Sequence, residues 1–196
     1  GNLLQQKLLD ISKRTNMIIS GPNSEGYANM ALKLCPTFSP AVDGENIELM
    51  PSWPTKKRIA VIAQSGGMGF SFYDRGRPKN LPFSYVITTG NEACLESLDI
   101  VEYLIDSDEA DIFLMFMEDV KTPSKLSYVA EKALSAGKPM IVTKIGHSDA
   151  GIRAAASHTA SLAGSYQIYK SIFERYGIIE GSDIEEIVDI AAGFVY

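Results

Sequence analysis

The chain predicts a doubly wound α/β domain, on three observations. Short β-rich apolar runs recur along it, each followed by a Gly-, Ser- or Asn-bearing turn and then an amphipathic stretch. Several of these runs are apolar at consecutive rather than alternate positions, as strands covered on both faces of a parallel sheet must be. Strand and helix also alternate in order, the pattern of crossover connections.

The strand candidates are Arg58 to Ala63, Ser84 to Thr88, Asp111 to Met117 and Pro139 to Ile145, with a weaker one at Gly177 to Ile179. The helix candidates between and after them are Gly67 to Asp74, Ser97 to Ile105, Pro123 to Ala136, Ala163 to Tyr176 and Ile184 to Ala192. The first part of the chain differs. Leu3 to Arg14 reads as a helix and Met17 to Ile19 as a strand, followed by a stretch from Gly21 to Lys57 with five prolines and little periodicity. So long an uninterrupted loop is unusual inside a compact domain and reads as a linker. The expected division is therefore 1–56, the end of another domain plus a linker, and 57–196, the α/β domain; the chain reads as a fragment.

Composition narrows the function classes. With 196 residues the chain can bury a full core. Eighteen basic against 24 acidic residues give a formal charge of −6, with no basic block to form a nucleic-acid surface. Cys35 and Cys94 are far apart and without CxxC spacing, which argues against a disulfide scaffold or structural zinc and fits a reducing cytoplasm. No apolar run is long enough to span a membrane, and the N-terminal residues lack a signal-peptide core. No metal site, nucleic acid or membrane partner is expected.

Three places carry possible chemistry. Ser65, Gly66 and Gly67 follow the strongest strand and open a helix; unpaired N–H groups and the positive dipole end there suit a phosphate, glycines admit close approach and the Ser65 hydroxyl can donate. The competing reading is an ordinary strand-to-helix turn with Ser65 as N-cap. His158 lies in a run rich in Ser, Ala and Gly before a helix; a neutral imidazole there can take up a phosphoryl group, whereas the plain alternative is a loop histidine with local hydrogen bonds. His147 reads as a loop residue at a strand end. Glu118, at the carboxyl end of an apolar strand, can accept an imidazole Nδ1–H and leave Nε2 free for attack; Asp119 beside it reads better as a helix N-cap. The turns at Asn23 and at Gly90–Asn91 are turn chemistry by default and can also offer amide groups to an anionic substrate.

Six ordered blocks then bring in a family. GPNSEGYAN (21–29), IAVIAQSGG (59–67), TTGNEA (88–93), LMFMED (114–119), KPMIVTKIG (138–146) and SHTASLAG (157–164) together resemble the NDP-forming acyl-CoA synthetases, relatives of the succinyl-CoA synthetase α subunit. The resemblance implies a flavodoxin-like sheet preceded by the tail of a CoA-binding Rossmann domain. It implies that acyl-CoA and phosphate give an acyl phosphate, that a histidine takes the phosphoryl group, and that ADP or GDP receives it. By this likeness His158 is the phosphorylated residue, Glu118 orients it, Ser65, Gly66 and Gly67 hold the phosphoryl group, and Asn23, Gly90 and Asn91 line the acyl or CoA-thioester end. CoA is then a substrate, and ADP/ATP or GDP/GTP with Mg2+ would be held mainly by an ATP-grasp module as partner, in an oligomer acting on a small carboxylic acid. Two departures stand out: Ala160 replaces the glycine of the family's SHTG, and Ser24 replaces a frequent cysteine. Two other readings fit some of these residues. Ser65, Glu118 and His158 fall in the Ser–acid–His order of an α/β-hydrolase esterase, and a non-catalytic CoA- or anion-binding module needs no working histidine.

Overall fold

The computed structural model describes residues 2–43, 57–146 and 166–196. Six strands form one sheet: β1 (Tyr27–Asn29), β2 (Ile59–Ala63), β3 (Phe83–Thr88), β4 (Ile112–Met117), β5 (Met140–Lys144) and β6 (Ile179–Glu180), in the spatial order β1-β3-β2-β4-β5-β6. β1 is antiparallel to β3, and all other pairs are parallel. Numbering only the parallel strands from the first gives the order 2-1-3-4-5, the flavodoxin-like arrangement. The helices are α1 (Asn2–Thr15), α2 (Gly66–Gly76), α3 (Ser97–Asp106), α4 (Pro123–Ser135), α5 (Tyr166–Tyr176) and α6 (Ile184–Val195).

The consecutive apolar runs are explained by cover on both faces. Ala60 and Ile62 of β2, with Phe113, Met115 and Met117 of β4, pack under α3, α4 and α5. Their neighbours Ile59, Val61 and Ala63, with Ile112, Leu114 and Phe116, pack under α2 and α6. Because successive side chains point to opposite faces, a strand buried on both faces must be apolar at every position, and β2, β4 and β5 are buried throughout.

The expected helices and parallel strands are found within a few residues of their expected limits; the expected helix from Ala163 is described from Tyr166 onward. Two expectations for the N-terminal part are corrected. Met17 to Ile19 is not a strand: α1 stops where Asn16 takes φ +54, residues 17–20 have no regular structure, and Ile18 is 80% exposed. Three apolar residues have no ladder to join there, so propensity alone does not make a strand. The stretch read as linker also contains β1, which lies against the edge of β3 and is tied to the following turn by Asn29 N–H on Leu34 O at 2.8 Å. A three-residue strand carries too little alternation to be seen in sequence.

β1 is held to β3 through Tyr85, whose hydroxyl donates to the Glu109 carboxylate and accepts from Asn29 Nδ2 at 3.2 Å. Burial first, and the Glu109 carboxylate second, push the Tyr85 phenol up to about 12. A raised phenol pKa means that the neutral form is favoured in the fold. Its contribution is complete below the unfolded tyrosine value of about 10 and is lost as pH rises through the folded value. Tyr85→Phe is therefore expected to lower the unfolding midpoint at pH 8, with the gap from wild type narrowing as pH rises above 10, checked by denaturant titration at several pH values.

Candidate functional site

The crossovers diverge at the carboxyl ends of β2 and β4. After β2 the chain passes to the face carrying α2, and after β4 to the opposite face carrying α4. This switch in direction opens a crevice at the sheet edge where ligands of such sheets bind. A polar cleft of about 290 Å³ occupies it.

Its walls gather Ser65, Gly66 and Gly67 from the start of α2, Glu118 from the end of β4, Gly90 and Asn91 from the turn after β3, and Asn23 from the segment before β1. All these predicted residues meet in one place. His158 and Ala160 lie outside the described residues, as does His147. Ser24, Glu25, Phe38 and Gln64 also line the cleft, none of them assigned a part there from sequence.

At the start of α2 the cap is left without a side-chain acceptor from Ser65. Ser65 occupies the N-cap position in an extended conformation, φ −111 and ψ 128, but its side chain makes no capping hydrogen bond. Its carbonyl accepts the Gly69 N–H at 3.0 Å, so the backbone enters the helix regularly without the hydroxyl being spent on the cap. Gly66 is required sterically: a Cβ there would lie 2.7 Å from Glu25 Cβ. The ordinary extended backbone at Ser65 also lacks the strained turn that exposes a hydrolase nucleophile, and the esterase reading loses its geometric support.

The opposite wall depends on Gly90. Its φ is +60, and a Cβ would lie 2.3 Å from Pro22 O and 2.4 Å from Asn23 O. The turn after β3 and the segment from Gly21 are thereby pressed together. Asn91 N–H donates to Pro22 O and Ala93 N–H to Gly21 O, both at 2.8 Å, while Asn23 Nδ2 reaches Asn91 Oδ1 at 3.3 Å. The buried Glu92 carboxylate braces the turn from below, accepting from Thr89 Oγ1 and Ser97 N–H, each at 2.8 Å. Ser24 has a job of its own, since its hydroxyl donates to Thr88 O at 2.6 Å and accepts from Gly26 N–H at 3.0 Å.

Behind Glu118 lies a polar cluster that the sequence reading missed. The Gln64 side chain accepts from the N–H groups of Glu118 and Asp119 and donates Nε2–H to Asp119 O at 2.7 Å. The Lys144 ammonium donates to Glu118 O at 2.7 Å and Ile145 O at 2.6 Å, and sits 4.6 Å from the centroid of the Tyr169 ring. Burial pushes the Lys144 ammonium below the usual lysine range, with the Asp119, Glu118 and Glu180 carboxylates opposing that shift. Asp119 does not cap α4, where Thr122 holds the N-cap position; its carboxylate accepts from the Tyr169 hydroxyl at 2.8 Å. Burial, and then this carboxylate, raise the Tyr169 phenol. A lysine at the end of an apolar strand was the available signal, because an ammonium is rarely buried without partners.

Fold and cleft define a flavodoxin-like domain with a polar cleft at the switch point of its sheet. Residues 56–194 match the family described as succinyl-CoA ligase like flavodoxin domain, and the chain belongs to that family. It is 36% identical over 191 residues to an ADP-forming acetate–CoA ligase I of Archaeoglobus fulgidus, covering 97% of this chain and 26% of the relative. It is 34% identical to the α subunit of an ADP-forming acetate–CoA ligase II of Pyrococcus furiosus, covering 99% of this chain and 40% of the subunit. Among solved structures, the dinucleotide-forming acetyl-coenzyme A synthetase 1 of Ca. Korarchaeum cryptofilum, in complex with phosphate and ADP, superposes with a TM-score of 0.83 at 28% identity, over 99% of this chain and 40% of that one. The chain thus spans from about a quarter to two-fifths of the length of these relatives. Among the described residues, no helix is long and apolar enough to cross a membrane.

Gly90→Ala is expected to destabilise the protein by about 1–3 kcal/mol, from a disfavoured φ together with overpacking. It should also loosen the 21–23 segment, read as faster amide exchange at Asn91 and Ala93.

Proposed function

We propose that this chain supplies the flavodoxin-like part of an NDP-forming acyl-CoA synthetase. In the forward direction acyl-CoA and inorganic phosphate give an acyl phosphate and free CoA. The neutral His158 imidazole then attacks phosphorus, its P–N bond forming as the bond to the carboxylate oxygen breaks and the free acid leaves. Phosphohistidine passes the phosphoryl group to ADP or GDP, giving the triphosphate and restoring the ring.

The observation that carries this reading is that the helix start at Ser65–Gly67, the carboxylate-bearing end of β4 at Glu118 and the Asn23/Asn91 wall line one polar cleft. The family membership and the names of the relatives support it. In this reading Glu118 accepts the His158 Nδ1–H, which fixes the tautomer and stabilises the positive charge that develops on the ring. The N–H groups opening α2 take the phosphoryl oxygens, as fixed donors that need no reorganisation during transfer. Asn23, Gly90 and Asn91 present amide groups to the acyl or thioester end.

The remainder of the cycle belongs to partners. A CoA-binding Rossmann domain, whose end is formed by residues within 1–56, would hold CoA. An ATP-grasp domain or subunit would hold the nucleotide with Mg2+, in an oligomer located in the cytoplasm. The acid is a small carboxylic acid, as acetate is for the named relatives.

The test is phosphorylation of the protein, with its nucleotide-binding partner present, by Mg2+–ATP labelled at the γ position. The expected product is an acid-labile, base-stable phosphate that is lost in His158→Asn. Glu118→Gln should slow its formation by roughly 10²-fold, because an amide can accept the Nδ1–H but brings no negative charge to stabilise the ring cation. Ser65→Ala should slow it less than Glu118→Gln does, since the backbone N–H groups opening α2 supply most of the donors to the phosphoryl oxygens. A label that survives in His158→Asn, or a Ser65→Ala loss equal to that of Glu118→Gln, contradicts the assignment.

A further inference from the structure

Glu118 is the first residue after β4, a point where backbone normally gains freedom. Here both peptide groups flanking its Cα are gripped by side chains from neighbouring strand ends. Its N–H is taken by Gln64 Oε1, which also takes the Asp119 N–H, and the same amide returns a hydrogen bond to Asp119 O at 2.7 Å. Its carbonyl accepts from Lys144 Nζ at 2.7 Å. Lys144 is itself locked, with its second donor on Ile145 O at 2.6 Å and the Tyr169 ring against the ammonium, and it is 3% exposed. Tyr169 continues the chain of contacts by donating to Asp119 Oδ1 at 2.8 Å and accepting the Val120 N–H at 2.9 Å.

The grip has the form of a substitute ladder. The main-chain N–H of Gln64 still donates to Phe116 O at 3.0 Å, as a parallel strand would. Beyond that point β2 turns into α2 and no backbone is left to pair with residues 118–119, so the primary amide of Gln64 supplies one donor and one acceptor in its place. An amide offers both, whereas a carboxylate of the same length offers only acceptors. On the other side β5 ends at Lys144, and its ammonium supplies donors to two carbonyls that have passed beyond the ladder. A buried ammonium is costly unless its donors are satisfied. Two carbonyls and an aromatic face are acceptable partners, and their price is the removal of freedom from residue 118.

We infer that Gln64 and Lys144 are positioning residues for Glu118: by holding the two peptide groups on either side of its Cα they set the direction of its carboxylate into the cleft. The inference rests on the reading of Glu118 as the group that orients the phosphorylated histidine, and it adds two residues that act on Glu118 through its backbone. Positioning matters at this level because a misplacement of about 1 Å, caused by a residue away from the chemistry, can cost about 10²-fold in rate.

Lys144→Met keeps the buried stem and removes the ammonium, and Gln64→Met keeps the volume and removes all three hydrogen bonds. Each is expected to slow labelling of His158 by roughly 10- to 100-fold, while affinity for inorganic phosphate, set by the start of α2, changes less than about twofold. Placed in a Glu118→Gln background, each should add little further loss, because residues that act through one group are not additive. A purely structural role predicts the same loss in both backgrounds. A direct readout independent of turnover is the 13C-carboxyl resonance of Glu118 in the full chain at fixed pH, which should move in both variants. Full additivity, a wild-type labelling rate or an unmoved resonance overturns the inference. Should Lys144→Met fail to fold, Gln64→Met at the cleft wall decides by the same measures. Absence of labelling in the wild type would instead remove the histidine reading, and the carboxyl resonance would then decide the positioning on its own.

Discussion

The organisation of this molecule follows from the divergence of two crossovers. α2 goes to one face of the sheet after β2, and α4 to the other after β4, although the two strands are hydrogen-bonded neighbours. Two adjacent strand ends therefore stand without helix or loop between them, and a crevice exists before any side chain is chosen. A helix entering from one of those ends turns its first N–H groups into the gap. What the sequence adds is the chemistry: two glycines at that entry, an uncapping serine, and a glutamate at the end of the other strand.

An opening at the sheet edge leaves backbone groups beyond the ladder in need of partners. The protein meets this with side chains rather than with more backbone. Gln64 and Lys144 serve residues 118 and 119, Glu92 serves the turn at 89–97, and Ser24 serves the junction between Thr88 and Gly26. These polar groups are buried or half-buried and hydrogen-bonded, the condition under which polar groups in an interior are tolerated. Their cost in freedom is also what restrains the loops lining the cleft.

β1 performs two tasks with three residues. As an antiparallel strand it covers the outer edge of β3, which would otherwise present unpaired backbone. It also fixes the preceding turn, so that Asn23 and the Gly21–Pro22 carbonyls meet Asn91 and Ala93 across the cleft. Gln5 of α1 reaches Asn91 O at 3.3 Å, bringing the first helix to the same rim. The N-terminal stretch thus contributes a wall of the site.

The amino-acid sequence by itself determined the parallel core and the identity of most of the cleft. Buried central strands must be apolar at every position, so β2, β4 and β5 were readable as runs, and βα turns at strand ends must be small and polar, so Ser65–Gly67, Gly90–Asn91 and Glu118 stood out. Tertiary structure alone decided which strand ends are neighbours, that Met17–Ile19 has nothing to pair with, and that Tyr27–Asn29 does. It also decided the tasks of Gln64, Lys144 and Tyr169, whose partners lie 55, 26 and 50 positions away along the chain. Local pattern reports which face of an element is buried. A hydrogen bond between a side chain and a distant carbonyl exists only once the sheet order has placed the two together.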